Sequence, residues 1–131
     1  MVIMAVGSSA FAIKVPKAVN ESFTKKFPGA TKISWGKENE KEYEADFTLN
    51  GTKMSANFLS DGTWKETESL IAVNDLPELI TTAIHNKYAG YVISSAFKIE
   101  KYNGQVNYEA ELKKGSQHKE AIFNIDGMIV K

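Results

Sequence analysis

A chain that carries one pattern twice is constrained to fold as two like units, and this chain reads that way. Val15-Pro16-Lys17-Ala18-Val19 opens one segment and Leu76-Pro77-Glu78-Leu79-Ile80 opens another. Phe27-Pro28-Gly29 answers to Tyr88-Ala89-Gly90, and Tyr43-Glu44-Ala45-Asp46-Phe47 to Tyr108-Glu109-Ala110-Glu111-Leu112. Ala56-Asn57-Phe58 with Asp61-Gly62 answers to Ala121-Ile122-Phe123 with Asp126-Gly127. The spacing changes once, where the second copy holds four extra residues around Asn103-Gly104. A small insertion at a turn is how related repeats commonly differ.

Each copy opens on a helical stripe. Val15, Ala18, Val19, Phe23 and Phe27 recur at helical spacing, with Pro16 in the first turn and Pro28-Gly29 as the stop. In the second copy Leu76, Leu79, Ile80, Ala83, Ile84 and Tyr88 form the stripe. Asp75 and Glu78 suggest a capping box there, and Gly90 the end. Strand patterns follow. Tyr43, Ala45, Phe47 and Leu49 alternate with Glu44, Asp46 and Thr48, the period of a half-buried strand. Asn50-Gly51 marks a two-residue hairpin, and Met54, Ala56 and Phe58 return on the same face. Asp61-Gly62 leads into a strand from Thr63 to about Ile71. The second copy repeats the plan through Ile93, Ser95, Phe97 and Ile99, then Tyr108, Ala110 and Leu112, then Ala121, Phe123 and Ile125, and a short strand Met128 to Val130.

The expected fold class is therefore α+β: two tandem helix-plus-four-stranded antiparallel repeats, residues 13–71 and 72–131, forming one continuous eight-stranded sheet with helices on one face. About sixty residues bury little apolar surface alone, which favours joining the copies into one cooperative body. Residues 1–12 read differently. Met1 to Val6 is apolar, and Ala10-Phe11-Ala12 has the small-x-small pattern of a signal-peptidase site, so the segment is expected to be a signal-peptide remnant.

Composition removes several functions. Hydrophobic residues make up 43% of the 131 and charged residues 24%, the balance of a globular chain. Lys+Arg and Asp+Glu are both 16, and no basic run supplies a nucleic-acid footprint. No stretch is apolar for long enough to span a membrane. Without cysteine there are no disulfides, thiolate metal sites or cysteine nucleophiles. No Gly-rich phosphate loop occurs, and no cofactor is expected.

The candidate site is an acidic ladder. Glu44 and Asp46 in the first copy and Glu109 and Glu111 in the second fall on the strand face opposite the apolar one. Glu66 and Glu68 extend it, and Trp64 shares their period-two register, so Trp64 is expected beside them as an aromatic anchor. The alternatives are a solvated face balanced by Lys53, Lys113 and Lys119, and Trp64 packed where the copies meet. Trp35, Tyr91 and Tyr102 have no firm place in the helix-covered core. His85 lies on the second helix and His118 just past a turn; neither has a serine or carboxylate partner by spacing. His118 and Glu120 could share a strand face, supplying two of the three or four ligands a metal needs. A small hydrolase or metal-dependent enzyme around His85 or His118 is thus the alternative to a binding module, and a structural envelope protein a third reading.

Taken in order, these residues resemble the PepSY-like, putative β-lactamase-inhibitor-like family of bacterial secreted proteins. The resemblance is carried by Val15-Pro16 and Leu76-Pro77, Phe27-Pro28-Gly29-Ala30, Ile33-Ser34-Trp35, the two Tyr-Glu pairs and the two Asp-Gly turns. Asp61-Gly62-Thr63-Trp64-Lys65-Glu66-Thr67-Glu68 is similar to the family's first-repeat ending. It covers about residues 13 to 131. It implies a periplasmic or secreted, non-catalytic, inhibitor-like module whose concave polar sheet face engages a protein, peptide or envelope component. One departure matters. An inhibitor of this shape inserts a hairpin loop with an acidic tip into β-lactamase, whereas Asn50-Gly51 here is followed by Thr52 and Lys53. That argues against β-lactamase as the target.

Overall fold

The computed structural model describes residues 13–131, so the leader reading lies outside the described residues. The chain divides into two compact units, with the division between Ser69 and Leu70. Among the described residues the fold is α+β, with seven antiparallel strands and two α-helices.

In the first unit, helix α1 (Lys17–Lys26) is followed by strands β1 (Thr31–Lys37), β2 (Glu42–Leu49), β3 (Thr52–Leu59) and β4 (Trp64–Ile71). Each strand pairs with the next. Pro16 stands at the helix N-cap, and Lys25 and Lys26 in the last turn oppose the negative end of the helix dipole. Val19, Phe23 and Phe27 pack onto Ala45, Phe47, Ala56 and Phe58. Phe23 is the hub: its ring lies 5.0 Å from Phe47 and 5.3 Å from Trp35, both edge-on. Ala18 of the expected stripe points to solvent. Asn50 and Gly51 take φ of 53° and 80°, the twin left-handed positions of a tight hairpin.

In the second unit, α2 (Glu78–Lys87) precedes β5 (Val92–Lys101), β6 (Val106–Lys114) and β7 (Gln117–Asn124). Ile80 and Ile84 pack onto Ala96, Ala110, Leu112, Ala121 and Phe123. The expected capping box does not form. Asp75 ends a 3₁₀ turn, Val73–Asp75, and α2 begins after Pro77 with no side-chain cap. The expected last strand shrinks to a single bridge, Phe123↔Ile129. It is held by Val130 N–H donating to the Ile122 carbonyl at 2.7 Å and Asn124 N–H to the Met128 carbonyl at 2.9 Å. Seven strands form where eight were expected, because the Asp126-Gly127 turn leaves so few residues in register.

Besides a register shift between Thr31 and Ser34 on β1, two bulges decide which side chains share a face. Opposite Asn57 and Phe58, β4 carries one extra residue, Lys65. Opposite Glu111 and Leu112, β5 carries one extra residue, Ser94, whose Oγ donates to the Glu111 carbonyl at 3.2 Å. An added residue swaps the faces of everything beyond it.

Candidate functional site

The face turned away from α1 is built by the polar half of each strand's alternation. On β2 it carries Glu42, Glu44 and Asp46. Glu44 stands opposite Gly36 on β1 and Asn57 on β3, and Asn57 in turn opposite Glu66 on β4. Asp46 stands opposite Ser34 and Ser55, and Ser55 opposite Glu68. Two adjacent cross-strand rows result, Gly36–Glu44–Asn57–Glu66 and Ser34–Asp46–Ser55–Glu68, with an oxygen-bearing side chain at every position but Gly36.

These groups are less exposed than a ladder on an open surface would be. Glu44, Asp46 and Glu66 are half-buried, and Glu68 is only 1% exposed. Glu44 Oε2 and Asp46 Oδ1 are buried and accept no hydrogen bond. Asn57 is 4% exposed; its Nδ2 donates to Glu42 Oε1 at 3.3 Å, while its Oδ1 accepts nothing. Burial first, then the negative charges of Asp46, Glu38 and Glu66, raise the Glu44 carboxyl from its ordinary 4.5 to about 7. Burial and Glu38 also raise Asp46.

Trp64 does not join this face. The Lys65 bulge places it opposite Phe58, on the α1 side. There Lys26 Nζ lies 3.9 Å from its ring centroid, and its Nε1 donates to Thr67 Oγ1 at 2.8 Å. The period-two register that linked Trp64 to Glu66 and Glu68 is broken by one residue. Trp35 likewise packs in the α1 core, and Tyr91 packs beside the α2 core with its hydroxyl donating to Gln117 Oε1.

In the second unit, Glu109 and Glu111 lie on the face away from α2, with Glu120 directly across from Glu111. Each of the three offers a carboxylate oxygen within 4.8 Å of the others. The expectation that Glu109 is exposed is overturned: it is 1% exposed. Its cross-strand neighbours are Phe97 and Ile122. The Ser94 bulge puts Phe97 and Ile99 on this face instead of beside Ile93, so the face is partly apolar. His85 and His118 are both exposed, and His118 stands across from Lys113 rather than in the carboxylate trio.

Sequence reasoning missed Asn57, Ser55, Glu42 and Gly36, and it paired Glu120 with His118 rather than with Glu109 and Glu111. The alternation Met54-Ala56-Phe58 does place Ser55 and Asn57 on the far face, so that signal was present. The burial of Asn57 was not legible.

Each unit is thus an antiparallel sheet with one helix packed on one side and carboxylates on the other. A family model described as "Putative beta-lactamase-inhibitor-like, PepSY-like" matches residues 41–130, and the chain belongs to that family. Among solved structures, a "putative periplasmic" protein from Bacteroides eggerthii is similar at 19% identity and TM-score 0.81. That match covers 90% of this chain and 87% of the other. A BLIP-like protein from Bacteroides fragilis is similar at 22% identity and TM-score 0.73, covering 91% and 85%. At such identities the likeness concerns the fold. No curated protein matches the chain. Among the described residues no helix is long and apolar enough to cross a membrane.

Proposed function

We propose that this protein is a non-catalytic, inhibitor-like binding module of the periplasm or the secreted fraction, which holds a protein or peptide on the sheet face that a unit turns away from its own helix. The reading includes the division into two PepSY-like repeats, 13–71 and 72–131. The observation that carries it is the pair Glu44 and Asp46, carboxylates whose buried oxygens accept no hydrogen bond on a face α1 does not cover. Unsatisfied buried acceptors are costly in the free protein and are relieved by a donor from outside. The family's inhibitor-like description supports a non-catalytic role, and the periplasmic description of a similar structure supports the location.

The test is capture from an envelope extract of the organism that makes the protein. Glu44→Gln with Asp46→Asn, and separately Glu111→Gln with Glu120→Gln, are compared with the parent, folding being checked by circular dichroism. Loss of a captured protein in either folded variant is expected, with Trp64→Ala leaving capture intact because that ring lies on the other side. Equal capture by the parent and both acid variants rejects the site.

A further inference from the structure

The chemistry of that face narrows the partner. On this face Glu44 Oε2, Asp46 Oδ1 and Asn57 Oδ1 are buried acceptors that receive no hydrogen bond. Asn57 is an independent pointer, because it is neutral, nearly fully buried and fixed in orientation by its Nδ2 bond to Glu42. What would satisfy all three is a donor-only group carrying positive charge. The β1 end of these rows is open. A Cβ placed on Gly36, across from Glu44, would meet nothing within 4 Å. Ser34, across from Asp46, is exposed. The charges on or beside this space are Glu38, Glu42, Glu44, Asp46, Glu66 and Glu68, against Lys53 near the hairpin end.

We infer that the face of the first unit turned away from α1 receives an arginine side chain of a partner protein, seated over the Gly36–Glu44–Asn57 row and bridging Glu44 to Asp46. This rests on the binding reading above. A metal ion suits the site less well. Among the described residues only Glu109, Glu111 and Glu120 bring three carboxylate oxygens within 4.8 Å of one another. Glu44 and Asp46, two residues apart on one strand, are separated by about 6.7 Å along it. A planar guanidinium presents five donors in a fixed fork wide enough for such a pair, where a lysine ammonium presents three from a single nitrogen.

The probe is a blocked pentapeptide with arginine at its centre and glycine elsewhere, compared with its citrulline and lysine counterparts. Binding is read by NMR through the Gly36 amide, the Asn57 side-chain amide and the Glu44 carboxyl titration. The arginine peptide is expected to shift all three and to move the Glu44 titration to lower pH, because a cation favours the charged carboxylate. Glu44→Gln with Asp46→Asn should weaken it about tenfold to a hundredfold, the loss of charge-assisted hydrogen bonds. Asn57→Ala, in a protein verified to be folded, should weaken it as well. The inference is overturned if citrulline and arginine shift these signals alike, if lysine binds as well as arginine, or if arginine moves only Glu109, Glu111 and Glu120. An arginine peptide that fails while envelope capture still depends on Glu44 and Asp46 rejects this inference alone. Failure of both assays rejects the binding reading too.

Discussion

Glu44 sits between Gly36 and Asn57 with a carboxyl raised to about 7, so its proton is held by the fold more tightly than by the unfolded chain. Between its ordinary 4.5 and about 7 the folded state therefore binds more protons than the unfolded state, and stability falls as pH rises through that window. Below 4.5 the contribution is neutral, and above about 7 the full cost of a desolvated anion remains. Full conversion of the shift gives about 3 kcal/mol, which solvent access to this half-buried group reduces to about 1 kcal/mol. Glu44→Gln should accordingly leave stability unchanged at pH 4 and raise it by about 1 kcal/mol at pH 8. Urea unfolding at the two pH values measures this; equal effects at both would contradict the assignment.

At the scale of elements, the two Asp-Gly turns act as docking points as well as reversals. Gly62 has φ +94°, and a Cβ there would lie 2.7 Å from the Ala18 carbonyl oxygen of α1. Gly127 has φ +84°, and a Cβ there would lie 2.8 Å from the Leu79 carbonyl oxygen of α2. Each turn thus presses its backbone against its own unit's helix. Conformation and space both demand glycine, and neither contact partner is a movable side-chain tip. Gly62→Ala and Gly127→Ala should each cost at least about 1 kcal/mol, with the helix forced away from the turn. Gly51→Ala, which meets nothing within 4 Å, should cost only the strain of its φ. Thermal unfolding of the three variants ranks them. The bulges at Lys65 and Ser94 belong to this scale as well, for each moves an aromatic side chain to the face its alternation would deny it.

Across the whole molecule, each unit holds its own core around a fully buried phenylalanine, Phe58 in the first and Phe123 in the second. Phe58→Ala and Phe123→Ala should each cost about 3–5 kcal/mol. Hydrogen exchange should show protection lost first in β2 and β3 for Phe58→Ala and in β6 and β7 for Phe123→Ala. The balanced charge of the chain conceals the acidic character of the face that carries Glu42, Glu44 and Asp46, since the balance is a sum and the site is a location. Local pattern along the chain was enough for the helical stripes, the strand period of β2, the Asn50-Gly51 hairpin and the placement of Glu44 and Asp46 on one face, because each depends on near neighbours. Strand pairing and packing were needed to turn Trp64 toward α1 and Phe97 away from α2, and to bury Asn57, Glu68 and Glu109. One extra residue in a strand reverses its faces at little local cost, and burial is conferred by what the rest of the chain brings alongside.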